Sequence, residues 1–319
     1  MTEEISLKAA PHAGAVNRAQ KSNNKLNFGH YGLYFVMPFI IALIVLKFAP
    51  MFYTISLSFN KWNGLDEMTF IGFDNYIRLF SDKNFYISIW NTFFIWGLNI
   101  LPRMGVALMC AFVFAYSRLK YKKLFKAVYY FPNLVTASAI AVLAFLALDF
   151  QNGFINAILL NLKLVSAPIN WLRFPLTAQG SVAFLIWWMW FGYAAILFTT
   201  GILSIPHEVI ECAQMDGANT WNRFWNIVMP LLRPVFSYVF VMSLIGGLQN
   251  FEIPRLLTDG RGAPDKSLLT VVMQMYNLTF QHSQYSYGAT YAVGLFMLIA
   301  LISGFTFRII NGRNLDEEG

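Results

Sequence analysis

Ser204-Ile205-Pro206-His207-Glu208-Val209-Ile210-Glu211-Cys212-Ala213-Gln214-Met215-Asp216-Gly217-Ala218-Asn219-Thr220-Trp221 is a polar stretch set between two long apolar runs. Ser204 is placed to cap a helix, Pro206 fits a first turn, and Glu208 sits where the helix dipole favours an anion. Val209, Ile210 and Ala213 give that helix a narrow apolar stripe, and Gly217 supplies a residue free to take left-handed geometry and end it. A second short helix can follow before Pro230 opens the next apolar run. The pattern predicts an amphipathic loop lying at the end of a membrane bundle.

The surrounding composition fits that setting. Of 319 residues, 57% are hydrophobic, 17% aromatic and only 12% charged, against roughly 25% charged in a soluble globular chain. A bilayer core of about 30 Å takes about 20 mainly apolar helical residues. Six such segments lie near 31–59, 86–116, 127–150, 181–204, 230–252 and 287–309. The fold expected is therefore all-α and polytopic, with six transmembrane helices over 28–319 and a loop over 205–229. Lys47 and Pro50 in the first segment predict a tilt or kink, and Pro102-Arg103 and Pro132 mark irregular backbone that lipid tolerates only against protein or water.

Orientation follows from charge. The stretch 1–27 carries Lys8, Arg18, Lys21 and Lys25 without the apolar core of a cleavable signal, and reads as a disordered tail. With the basic Arg118–Lys123 turn it is expected on the cytoplasmic side, so six spans put both termini there. The loops near 60–85, 151–180 and 253–286 then face outward. The net charge of +7 reflects this topology. Its basic residues form no aromatic-interleaved patch, so no nucleic-acid partner is expected.

Glu211-Cys212-Ala213, Asp216, Gly217 and Ile227-Val228-Met229-Pro230 resemble the cytoplasmic "EAA" loop of ABC import permeases. Cys212 stands where that pattern prefers Ala, and Met229 where it prefers Leu. Phe70-Ile71-Gly72-Phe73-Asp74-Asn75-Tyr76, Tyr130-Phe131-Pro132-Asn133 and the stretch from Leu257-Thr258 to Pro264 look like the carbohydrate-uptake, maltose-type branch of that family. The resemblance implies a MetI-like permease fold in a bacterial or archaeal cytoplasmic (inner) membrane. It implies that the loop couples to an ATPase subunit through Glu208, Glu211, Cys212, Ala213, Asp216, Gly217, Ile227 and Pro230. The expected assembly has a second homologous permease as heterodimer partner, two ATP-binding cassette subunits and an external or periplasmic solute-binding protein. ATP and magnesium are expected on the partner ATPase, with no cofactor in this chain.

No Gly-x-x-x-x-Gly-Lys-Ser/Thr loop is present to cradle nucleotide phosphates, and His12, His30, His207 and His282 lack metal-ligand spacing. The chain is therefore read as a transport subunit with no catalytic or metal residues of its own. Ionisable groups inside a span are functional candidates, which singles out Arg103. Sugars stack on aromatic rings and bond to amides in otherwise apolar cavities. The permease resemblance places a saccharide path at Trp190, Tyr193, Gly246 and Gln249, with Asn250 beside them. A polyol, glycerol phosphate or acidic oligosaccharide is the alternative solute, with Arg103 pairing an anion. A channel or ion-coupled transporter would require inverted repeats or a charged relay, and the sequence contains neither.

Overall fold

The computed structural model describes residues 28–117 and 120–311. The expected tail over 1–27, Arg118-Leu119 of the basic turn and the C-terminus beyond 311 lie outside the described residues. The chain divides after Met51 into two compact units. In the first, α1 (Phe28–Leu43) leads into a π-helical turn, Ile44–Phe48, which carries Lys47. Its side chains are largely apolar and exposed, Phe35, Phe39 and Leu46 among them, a surface suited to lipid. α2 (Ala49–Ser58) follows.

The second unit opens with the rest of α2, from Phe52, and a small antiparallel hairpin, β1 (Asn60–Lys61) and β2 (Thr69–Phe70), in register Asn60 to Phe70. Then come α3 (Asp74–Ser81), α4 (Lys83–Tyr116), α5 (Lys122–Leu134), α6 (Ala137–Ala147) and α7 (Phe154–Asn161). α8 (Pro175–Leu203) is followed by the short α9 (His207–Met215), α10 (Thr220–Arg223) and α11 (Met229–Leu231). α12 (Arg233–Leu248), α13 (Glu252–Thr258), α14 (Val271–Tyr276) and α15 (Tyr285–Asn311) complete it. Among the described residues five helices are long and apolar enough to cross a bilayer, and a bent pair makes a sixth if it counts as one span.

The third expected segment, near 127–150, holds that bent pair, α5 and α6, turned by 91° close to the irregularity expected at Pro132. Pro132 lies in the last turn of α5, Val135 is extended at φ −84°, and the Thr136 hydroxyl caps α6 by accepting from the Ala139 N–H. α8 starts at Pro175, earlier than the expected 181, because proline is preorganised for a first helical turn. α12 starts at Arg233 with Pro234 in its first turn. Pro230, expected to open that span, belongs instead to α11, and a break at Leu232 separates the two.

Small residues let the long helices approach. Ala107 and Ala111 of α4 and Ala194 and Ala195 of α8 are buried in one cluster with Phe198, Val228 and Leu232. At Gly192 a Cβ would collide with the Tyr129 carbonyl oxygen of α5, so only glycine permits that crossing. Asp82 begins α4 by accepting from the Asn84 N–H at 2.8 Å. Its other oxygen accepts from the Tyr287 and Tyr291 hydroxyls at 2.9 and 2.8 Å, which ties α4 to α15.

Candidate functional site

The loop between α8 and α12 has two unlike faces. Ile210 of α9 is buried with Val228 in one cluster with Ala107, Ala111 and Ile202, so the loop is anchored to α4 and α8 by apolar packing, and Ala213, one turn on, is buried too. On the opposite face Glu208, Glu211, Cys212 and Asp216 are exposed. Glu211 keeps 64% of its side chain accessible, and its only ion-pair partner among the described residues is His207 one turn earlier, Nδ1 to Oε1 3.3 Å. Met215 and Trp221 are also exposed, at 88% and 68%.

The termination of α9 is specified by its last residues. Gly217 has φ of +79°. The Ala218 N–H donates to the Ala213 carbonyl (3.0 Å) and the Gly217 N–H to that of Gln214 (3.1 Å). These paired bonds close the helix in the Schellman manner and reverse the chain without leaving orphan carbonyls. Asn219 then caps α10 by accepting from the Asn222 N–H at 2.8 Å. Ser204 does not cap α9 as expected: its hydroxyl donates to the Gly201 carbonyl at 2.7 Å, and Pro206 occupies the cap without a side-chain bond. Ser204 closes the preceding helix because α8 runs on to Leu203. Ile227 is half-buried against the same cluster as Val228, and Pro230 is exposed.

The candidate substrate residues are spread over three helices. Trp190 and Tyr193 on α8 meet edge to face, with ring centroids 6.1 Å apart. Gly246 on α12 is exposed with open space beyond its Cα, while a Cβ at Gly247 would collide with the Trp96 ring. Gln249 is exposed at the end of α12, and Asn250 is half-buried with its carbonyl accepting from Thr270 at 2.9 Å. Arg103 lies inward on α4 at 7% exposure, with a buried Nε that bonds to nothing among the described residues. The described hydrogen bonds do not join Arg103 to Trp190, Tyr193, Gln249 or Asn250.

Other polar residues organise the opposite end. Asn91 of α4 donates to the Lys266 and Leu269 carbonyls (2.7 and 3.2 Å), and Gln179 of α8 donates to Asn91 Oδ1 and the Ser267 carbonyl (3.2 and 2.9 Å). Thr92 accepts from the Val271 N–H at 3.1 Å. The 259–270 loop is thus fastened to both long helices. Ser88, Thr92, Ile95, Asn99 and Arg103 fall on one helical face of α4, and this spacing was the available sign of a buried polar stripe.

Residues 103–315 match the family described as binding-protein-dependent transport system inner membrane component. The chain is 30% identical over 288 residues to the lactose transport system permease protein LacF of Rhizobium radiobacter, covering 90% of this chain and 96% of that one. It is 31% identical over 272 residues to the arabinooligosaccharides transport system permease protein AraP of Bacillus subtilis, covering 84% of each. A crystal structure of a bacterial ABC transporter involved in import of the acidic polysaccharide alginate contains a chain of the same fold. Its TM-score is 0.72 at 22% identity, over 90% of this chain and 97% of that one.

Proposed function

Because this chain belongs to the family of binding-protein-dependent transport inner membrane components, we propose that it is the permease subunit of an ATP-driven importer for a sugar or oligosaccharide. The solutes for which LacF and AraP are named, lactose and arabinooligosaccharides, support that solute class. In this reading both termini are cytoplasmic, an external solute-binding protein delivers the sugar, and a homologous permease completes the membrane pair. Two ATP-binding subunits, which hold ATP and magnesium, complete the assembly, and the α9–α11 loop docks on one of them.

The observation that carries the proposal is the two-faced construction of that loop. Glu208, Glu211, Cys212 and Asp216 are exposed, while Ile210 packs the same helix onto α4 and α8. A displacement of α9 by the ATPase is therefore transmitted to the long helices as a rigid shift, because close-packed interiors do not absorb it. The ATPase drives the change through its differing affinity for the loop in two states. Glu211 is the electrostatic contact in that interface, Gly217 fixes the angle of the turn, and Ile227 and Pro230 return the chain to α12. Trp190, Tyr193, Gly246, Gln249, Asn250 and Arg103 line the path in this reading.

Glu211→Ala, purified in the complete assembly in nanodiscs, tests this reading. The expected result is a loss of substrate-stimulated ATP hydrolysis of about tenfold or more, since a charge-assisted contact contributes roughly 1.5–3 kcal/mol. Full stimulated hydrolysis by the variant contradicts the coupling role.

A further inference from the structure

A cleft of about 610 Å³ opens among α13, the 259–270 loop, α14 and the turn that follows it. In the orientation proposed above it faces outward. Three permanent cations line it, Arg255, Arg261 and Lys266, against one carboxylate, Asp259. None of the three cations is ion-paired among the described residues. The Arg255 guanidinium lies 4.1 Å over the Tyr276 ring and 5.6 Å from that of Phe251, so stacking fixes its plane. Its Nη1 is buried and bonds to nothing among the described residues, and the same holds for Oδ1 of Asn277, a residue only 7% exposed.

These groups converge. A Cβ built on Gly260 would stand 3.2 Å from Arg255 Nη1, 3.5 Å from Gln281 Nε2 and 3.7 Å from Asn277 Oδ1, so the absent side chain leaves three polar ends around one space. Asn277 Nδ2 donates to the Gly260 carbonyl at 2.9 Å, which aims Oδ1 away from that bond. Lys266 Nζ donates to Asn84 Oδ1 at 2.9 Å, and Asn91 and Gln179 hold the loop backbone from behind. The cleft is thus built in advance, and its unused bonding capacity is a planar guanidinium edge, an amide oxygen and an amide nitrogen. A guanidinium fork matches a carboxylate, whereas amides exchange hydrogen bonds with sugar hydroxyls. A volume of this size lies within the roughly 300–1,000 Å³ of small-molecule sites.

We infer that this cleft is an entry subsite for an acidic saccharide, a uronate-type sugar whose carboxylate pairs with Arg255 and Arg261 while its hydroxyls meet Asn277 and Gln281. The inference rests on reading the chain as a saccharide permease with this face outward, and it narrows the solute to an anionic one. It makes no use of Arg103.

The test is direct binding of tri-galacturonate, and of the same trimer with its carboxyls methyl-esterified, to the complete assembly in nanodiscs without the solute-binding protein, read by microscale thermophoresis. The acid is expected to bind about tenfold or more tighter than the ester, and Arg255→Gln and Arg261→Gln each to reduce acid binding about tenfold. Arg261 is exposed, so its variant remains decisive if Arg255→Gln fails to assemble. Equal affinity for acid and ester, unchanged binding in the variants, or equal displacement of the acid by inorganic phosphate overturns the inference. So does a result in which the variants lose only docking of the solute-binding protein, which would give the cleft to that protein. Stimulated hydrolysis in the Arg261→Gln assembly separates this inference from the coupling reading: a failed cleft with hydrolysis still dependent on Glu211 leaves the permease reading intact.

Discussion

The α9–α11 loop and the 259–270 loop pack against opposite ends of α4 and α8 and are built on opposite plans. The first is held by apolar packing of Ile210 and Val228, and its polar groups, Glu208, Glu211 and Asp216, are left to solvent. The second is held by the Asn91 and Gln179 amides, which donate to its carbonyls, and by Thr92, which accepts from the Val271 N–H just beyond it. Its Arg261 and Lys266, with Arg255 of α13, line a cleft. Apolar anchoring is non-directional and lets a helix transmit a shift. A hydrogen-bonded staple fixes a loop in one geometry, because a misplaced buried donor or acceptor is costly. One end is suited to being moved and the other to recognising a shape.

Substitutions sharpen that contrast. The largest effect is expected at Glu211→Ala, which should remove about tenfold or more of the stimulated ATP hydrolysis while leaving thermal stability unchanged, because the group is on the exposed face. Asn91→Leu should do the reverse. It strips the Lys266 and Leu269 carbonyls and the Gln179 amide of a partner, so a loss of about 1–3 kcal/mol is expected. That loss would appear as a lower midpoint in tryptophan-fluorescence unfolding of the assembly. If Asn91→Leu melts like the wild type, the staple is not what fixes the loop.

Gln249→Ala should give a smaller, few-fold loss of sugar uptake into proteoliposomes with normal co-purification of the partners. An unchanged uptake rate would remove Gln249 from the path. His207→Ala should have the least effect. Its contact with Glu211 is exposed on both sides, and such surface pairs contribute about 0–1 kcal/mol. Stimulated hydrolysis within about twofold of wild type is expected, and a collapse would show that His207 orients Glu211 for docking.

The two ends were also unequally legible in the sequence. Gly217, the Glu208–Glu211 face and the following short helix are local features, set by residues within one or two helical turns, and the bonds from Ala218 and Asn219 occur where spacing puts them. Ser204 and Pro230 were misplaced by a few residues because helix ends depend on which neighbouring helix extends further, a competition that local preference does not decide. The turn at Val135 was signalled by Pro132, but its 91° angle was not. The 259–270 cleft escaped notice because its residues are brought together by bonds across the fold, such as Gln179 to Ser267. Arg255 falls in the stretch read only as an outward loop near 253–286, and its setting depends on Tyr276 and Gly260 being brought beside it.

The central claim is that the exposed face of α9 is covered by an ATPase partner, and Cys212, an exposed free thiol next to Glu211, reports on it directly. Its labelling by a membrane-impermeant maleimide would be followed by mass spectrometry of the α9 peptide, in a Cys110→Ser background, with and without the ATP-binding subunits in the nanodisc. The account predicts labelling of the permease pair alone and strong protection in the complete assembly. Equal labelling rates in the two preparations would contradict it.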